Sequence, residues 1–186
     1  MECFEYPIPP APRTAVLVPW FSKKTFAKKT FSKKTFAKKW FYETTFDKNP
    51  VRIFAEGWGP EASAFAPAAL AATFEQLCSL DRQSVPSLTH ALIVLGRPGA
   101  DRLSEEDRDR LWKAFRVPVF EQVIGKSGEL LAAECEAHDG LHLESPQLPL
   151  DNEYLDASPC PCGRKTPRIG GTQGAALLRR VAAYAR

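Results

Sequence analysis

A strand, a helix and a second strand succeed one another between residues 89 and 124, and this unit constrains the fold more than any other part of the chain. Residues 89–95, THALIVL, are an apolar run closed by the turn composition Gly96-Arg97-Pro98-Gly99. Ser104 then opens SEEDRDRLWKAF, whose first turn is acidic, as the positive end of a helix dipole favours. Residues 117–124, VPVFEQVI, read as the returning strand. A crossover of this length joins parallel strands and winds right-handed, so the expected class is α/β with a small, partly parallel sheet.

Other elements are fitted around this unit. Short strands are expected over 14–19 (TAVLVP) and 51–55 (VRIFA). The stretch 66–80, APAALAATFEQLCSL, predicts a helix with Pro67 in its first turn and Leu70, Phe74, Leu77 and Cys78 on one face. Cys78 reads as a buried apolar residue of that face, and His90 as a core or edge histidine rather than a ligand. The last segment, residues 174–186, predicts an amphipathic helix packed on the body.

The organisation expected is an extended segment over 1–20, an insert over 21–48 and a single α/β domain over 49–186. The insert is a duplication: FSKKTFAKKT is followed by FSKKTFAKKW. Its phenylalanines recur every five residues, a period that makes neither a helical stripe nor one strand face. Eight lysines fall between Lys23 and Lys39, and without them the net charge of +3 turns negative. The body therefore has no charge-based claim on nucleic acid. The insert itself could grip single-stranded nucleic acid or an anionic surface, with phosphates on lysine and bases on phenylalanine. The near-identity of the copies favours a tolerated tandem duplication in a solvated loop. No apolar run approaches the ~20 residues of a membrane span, and the start carries no secretory pattern, so a cytoplasmic protein is expected.

The chemistry concentrates between Glu134 and Arg164. This window holds Cys135, His138, His142, Cys160 and Cys162, three of the five cysteines and two of the three histidines. Thiolate and imidazole are the donors zinc prefers, and four of them close a structural site. Asp139-Gly140 signals a hairpin with Cys135 and His142 on its arms and His138 at its tip. Alternation puts Cys135 and His138 on opposite faces, so the expected ligands are Cys135, His142, Cys160 and Cys162, with His138 as the spare. Proline stiffens the Cys160-Pro161-Cys162-Gly163 turn, and glycine lets backbone amides face the sulfurs. Structural zinc is the expected cofactor.

From Phe115 to Leu143, and again at CPCGRKTPRI, the chain resembles the phenylacetate–coenzyme A ligases of the adenylate-forming, AMP-binding family. The carrying segments are GKSGE and ECEAHDGLH. The resemblance implies an α/β fold, a zinc in some relatives at these cysteines and histidine, and nucleotide contacts at Gly125, Ser127 and Glu129. Several departures accompany it. Gly128 stands where a glutamate meeting Mg-ATP belongs, Ile124 replaces the adenine-stacking aromatic, and no phosphate loop, ribose-holding Thr-Gly-Asp or lysine-bearing small domain is present. Adenylation depends on those parts, so ATP and CoA are not expected as ligands. The function expected is a zinc-stabilised, non-catalytic relative that binds a protein partner or a small acyl or nucleotide ligand. The alternatives are a basic-aromatic repeat protein acting through Lys23–Lys39, and a weak acid–CoA ligase.

Overall fold

The computed structural model describes residues 12–17, 51–81, 83–125, 128–144 and 155–170. The 21–48 insert, the helix expected over 174–186, Ser127 and most of the 1–20 segment lie outside the described residues. The chain divides into two compact units, residues 1–94 with 105–119, and residues 95–104 with 120–186.

The first unit is built on β1 (Thr14–Leu17), β2 (Val51–Phe54), β3 (Ala69–Ala72) and β4 (Ala91–Gly96). Their order is β2-β1-β3-β4. Every pairing among them is parallel, with Thr14 opposite Val51 and Ala69, and Ala69 opposite Ala91. Parallel strands are covered on both faces and so read as unbroken apolar runs. Accordingly Ala15, Val16, Leu70, Ala71, Leu92 and Ile93 are all fully buried.

Among the described residues this unit has three helices: α1 (Pro60–Ala64), α2 (Phe74–Ser79) and α3 (Glu105–Phe115). α3 buries Leu111 and ends at Arg116, whose left-handed backbone (φ 60°) lets its N–H donate to the Trp112 carbonyl at 2.8 Å. The chain then returns beside β4, where the Leu92 N–H donates to the Pro118 carbonyl at 2.8 Å. Strand, helix and return follow the expected crossover.

The helix expected over 66–80 is two elements. Residues 69–72 are β3, and only 74–79 are helical. Alanine favours a helix intrinsically, but ALAA lies between β1 and β4 with every residue fully buried, and that burial outweighs propensity. The break falls at Thr73, whose hydroxyl accepts from the Gln76 N–H at 3.2 Å while the Gln76 side chain accepts from the Thr73 N–H at 3.1 Å. His90 immediately precedes β4 rather than lying within it; it is half-buried, and its Nδ1 lies 2.8 Å from the Thr89 hydroxyl.

The second unit runs β5 (Val119–Ile124), β6 (Leu130–Glu134), β7 (Leu141–Leu143), β8 (Leu155–Asp156) and β9 (Arg168–Ile169). The order is β5-β6-β7-β9-β8, and the pairings are antiparallel. Val123, Leu131, Ala132, Leu141 and Ile169 form its core, with Leu143 and Leu155 packed against them. Parallel and antiparallel strands with few helices make the class α/β, as expected. Among the described residues no helix is long and apolar enough to cross a membrane.

Candidate metal centre

The β6–β7 hairpin is the frame of the site. Glu134 pairs with Leu141 and Ala133 with His142, so six residues, 135–140, form the loop rather than Asp139-Gly140 alone. Two backbone features shape it. The His138 N–H donates to the Cys135 carbonyl at 3.0 Å, and Gly140 takes φ +85°. A Cβ at Gly140 would stand 2.7 Å from the Ile169 carbonyl oxygen, so only glycine lets the loop lie this close to β9.

The hairpin presents Cys135 just past the end of β6 and His142 within β7, both buried. Cys160 and Cys162 come from a tight turn closed by the Gly163 N–H on the Cys160 carbonyl at 2.9 Å, with Gly163 at φ +80°. The four ligand atoms lie within 4.8 Å of one another. Cys135 Sγ is 3.6 Å from Cys160 Sγ, and Cys162 Sγ is 3.4 Å from His142 Nε2. A tetrahedron with Zn–S of about 2.3 Å and Zn–N of about 2.0 Å has S···S edges of about 3.8 Å and S···N edges of about 3.5 Å. The cluster is thus compatible with one metal ion at its centre.

The surroundings fix each donor. The Ala137 N–H faces the Cys135 sulfur and the Cys162 N–H faces the Cys160 sulfur, as in a metal-binding knuckle. Burial pushes the Cys135 thiol up to about 12, with smaller upward contributions from the neighbouring cysteines, so a cation is needed to hold its thiolate. At Cys160 burial acts upward too, but the Cys162 N–H, the adjoining thiols and Arg168 outweigh it and bring the thiol below its ordinary value. Burial lowers His142, with Arg164 and Arg168 adding to the effect, so the imidazole is neutral, the form that ligates metals. His142 Nδ1 lies 3.0 Å from the Thr166 carbonyl, which leaves Nε2 directed at the cluster.

A charged clasp lies beneath. Arg168, 2% exposed, donates to the Asp139 carbonyl and carboxylate, to the Asp156 carboxylate and to Ser158 Oγ. It thereby joins the hairpin loop, β8 and β9. Arg164 adds an ion pair with Glu144 at 3.0 Å. These supporting residues gave no signal in the sequence, because they meet only through the β7–β9 and β8–β9 registers.

His138 stands apart from the four. Its backbone is left-handed (φ 51°), its Nδ1 lies 3.1 Å from the buried Glu134 carboxylate, and its ring stacks on Phe120 with centroids 5.0 Å apart. Of the residues laid on the nucleotide motif, Gly125 and Glu129 are described and close their own turn: the Gly125 N–H donates to the Glu129 carbonyl at 2.8 Å.

No family model matches the chain, and no curated protein matches it. Among solved structures it is similar to 2-hydroxyisobutyryl-CoA ligase. An open conformation in complex with 2-HIB-AMP and CoA has a TM-score of 0.51 at 16% identity, covering 89% of this chain and 45% of that one. The postadenylation state in complex with R3-HIB-AMP has a TM-score of 0.52 at 17% identity, covering 89% and 44%. The fold is shared with acyl-CoA ligases. At this identity the likeness is one of fold, and the chain spans less than half the length of the ligases it matches.

Proposed function

We propose that this chain is a zinc-stabilised, non-catalytic relative of the phenylacetate–CoA ligases that binds a protein partner or a small acyl or nucleotide ligand. The observation that carries the reading is the gathering of three sulfurs and one imidazole nitrogen within 4.8 Å of one another, with the two closest pairs at 3.6 and 3.4 Å. Three thiolates and an imidazole are the donor set of structural zinc. With four protein ligands no position remains for a substrate oxygen or an activated water, so the ion's work is to hold the fold. It would tie the end of β6, β7 and the Cys160–Gly163 turn to one another.

The absence of catalysis is supported at the motif. Gly128, at φ +85°, stands where the family places a glutamate. The Glu129 carboxylate packs over Gly125, where an added Cβ would meet it at 2.1 Å. An acid folded onto its own turn is badly placed to organise Mg-ATP. For a nucleotide ligand, Gly125, Ser127 and Glu129 are the contacts the resemblance assigns.

The test is elemental mass spectrometry on untagged protein purified without added zinc. The reading requires about one zinc per chain, lost in Cys160→Ser together with on the order of 4 kcal/mol of stability. Absence of metal, with a variant as stable as the parent, overturns the zinc site. ATP-dependent pyrophosphate release with a panel of aryl acids overturns the non-catalytic half.

A further inference from the structure

We infer that the three-cysteine cluster is also a thiol redox switch, in which a peroxide-class oxidant replaces the metal with a Cys135–Cys160 disulfide. The inference rests on the zinc reading and adds a regulation to the same site.

Graded exposure sets the order of events. Cys135 and Cys160 are 1% and 6% exposed, whereas Cys162 is only partly covered. A small oxidant therefore meets Cys162 first. Proximity sets the product. The Cys135 and Cys160 sulfurs are 3.6 Å apart, and a disulfide bond is about 2.05 Å, so joining them needs about 1.5 Å of movement. The competing Cys160–Cys162 bond would have to form inside a turn stiffened by Pro161 and closed by the Gly163 N–H.

The chemistry balances in three displacements. The Cys162 thiolate attacks the peroxide; an S–O bond forms, the O–O bond breaks and hydroxide leaves, giving a sulfenic acid. The Cys135 thiolate attacks that sulfur, forming an S–S bond and expelling the second hydroxide. The Cys160 thiolate then attacks the Cys135 sulfur and displaces Cys162 as thiolate. In sum two thiolates are oxidised and one peroxide is reduced to two hydroxides, which take protons from water. Only His142 and Cys162 then remain for the ion, too few to hold it. The disulfide links the end of β6 to the Cys160–Gly163 turn, two of the three segments that the metal would tie, while β7 stays paired with β6, so the oxidised chain keeps its fold. That makes the event a switch rather than damage.

The experiment treats reduced, metal-counted protein with hydrogen peroxide in the presence of a chromophoric zinc chelator. Intact mass and peptide mapping after alkylation follow. The expected result is release of the bound zinc, loss of two hydrogens and of two alkylatable thiols, and a crosslinked Cys135–Cys160 peptide. Dithiothreitol should restore the mass and the thiols, with zinc rebound once the chelator is removed and the ion resupplied, and Cys135→Ser should lose the crosslink. Zinc retained with its thiols protected overturns the switch and leaves the zinc reading standing. Added oxygens without a crosslink, or a crosslink confined to other cysteines, overturns it too. Protein that carries no zinc yet forms the crosslink overturns the zinc reading and, with it, the exchange of metal for disulfide.

Discussion

His142 Nδ1 lies 3.0 Å from both the carbonyl and the hydroxyl oxygen of Thr166, twenty-four residues further along the chain. A shared proton donated to two acceptors fixes the tautomer and the ring plane together, so the nitrogen that faces the cysteine cluster is set by a residue outside that cluster.

Thr166→Val tests this arrangement. It keeps the carbonyl acceptor and removes the hydroxyl, and should weaken zinc binding by about tenfold in competition with a chelator. Unchanged affinity would mean that the carbonyl alone orients the ring.

Gly140→Ala should cost about 2–3 kcal/mol in urea unfolding, because a left-handed backbone and a clash with backbone act together. The atom met at 2.7 Å is the Ile169 carbonyl oxygen, which cannot swing aside as a side-chain tip could. A midpoint equal to the parent's would show that the loop relaxes away from β9.

Asp156 predicts an acid dependence. The Ser158 hydroxyl and N–H, with Arg168 behind them, hold its carboxyl below the ordinary 3.8. The folded chain therefore binds fewer protons than the unfolded one just under that value. Its contribution is fully present above 3.8 and is lost as pH falls through the folded pKa. The stability gap between the parent and Asp156→Asn should accordingly narrow on acidification. A gap that stays constant down to the acid transition would contradict the assignment.

Thiol reactivity should separate two kinds of cysteine. Burial raises the Cys78 thiol, which lowers its thiolate fraction at neutral pH, so iodoacetamide should modify it more slowly than a free cysteine. Adding a strong chelator should speed the alkylation of Cys162 before that of the more deeply buried Cys135 and Cys160. Equal rates before and after chelation would count against a bound ion.

Much of the fold was legible where long apolar runs met explicit boundaries, as from residue 89 to Ile124. It was least legible at 66–80, where alanine serves a helix and a crowded central strand equally well. The structure shows what marks the boundary there: Thr73 and Gln76 form a capping box, which sets where the helix starts. The Cys and His spacing grouped Cys135, His142, Cys160 and Cys162. It could not anticipate the six-residue loop that carries His138 away to Glu134 and Phe120. Thr166 and Arg168 were invisible because one is a polar residue before Pro167 and the other lies in a strand of two residues, too short to show a period. Their meaning comes from which strand lies beside which.

The strand order β2-β1-β3-β4 has a consequence for synthesis. β1 has a neighbour on each edge, and both come later in the chain, at Val51–Phe54 and Ala69–Ala72. While the chain grows from its N-terminus, Thr14–Leu17 leaves the ribosome as an apolar segment with two unpaired edges, and it stays so until residues beyond 50 have emerged. Such a segment invites pairing with other chains, and the interval is set by the length of whatever separates β1 from β2. Every residue added by the FSKKTFAKKT duplication lengthens that interval, whatever else the duplication does.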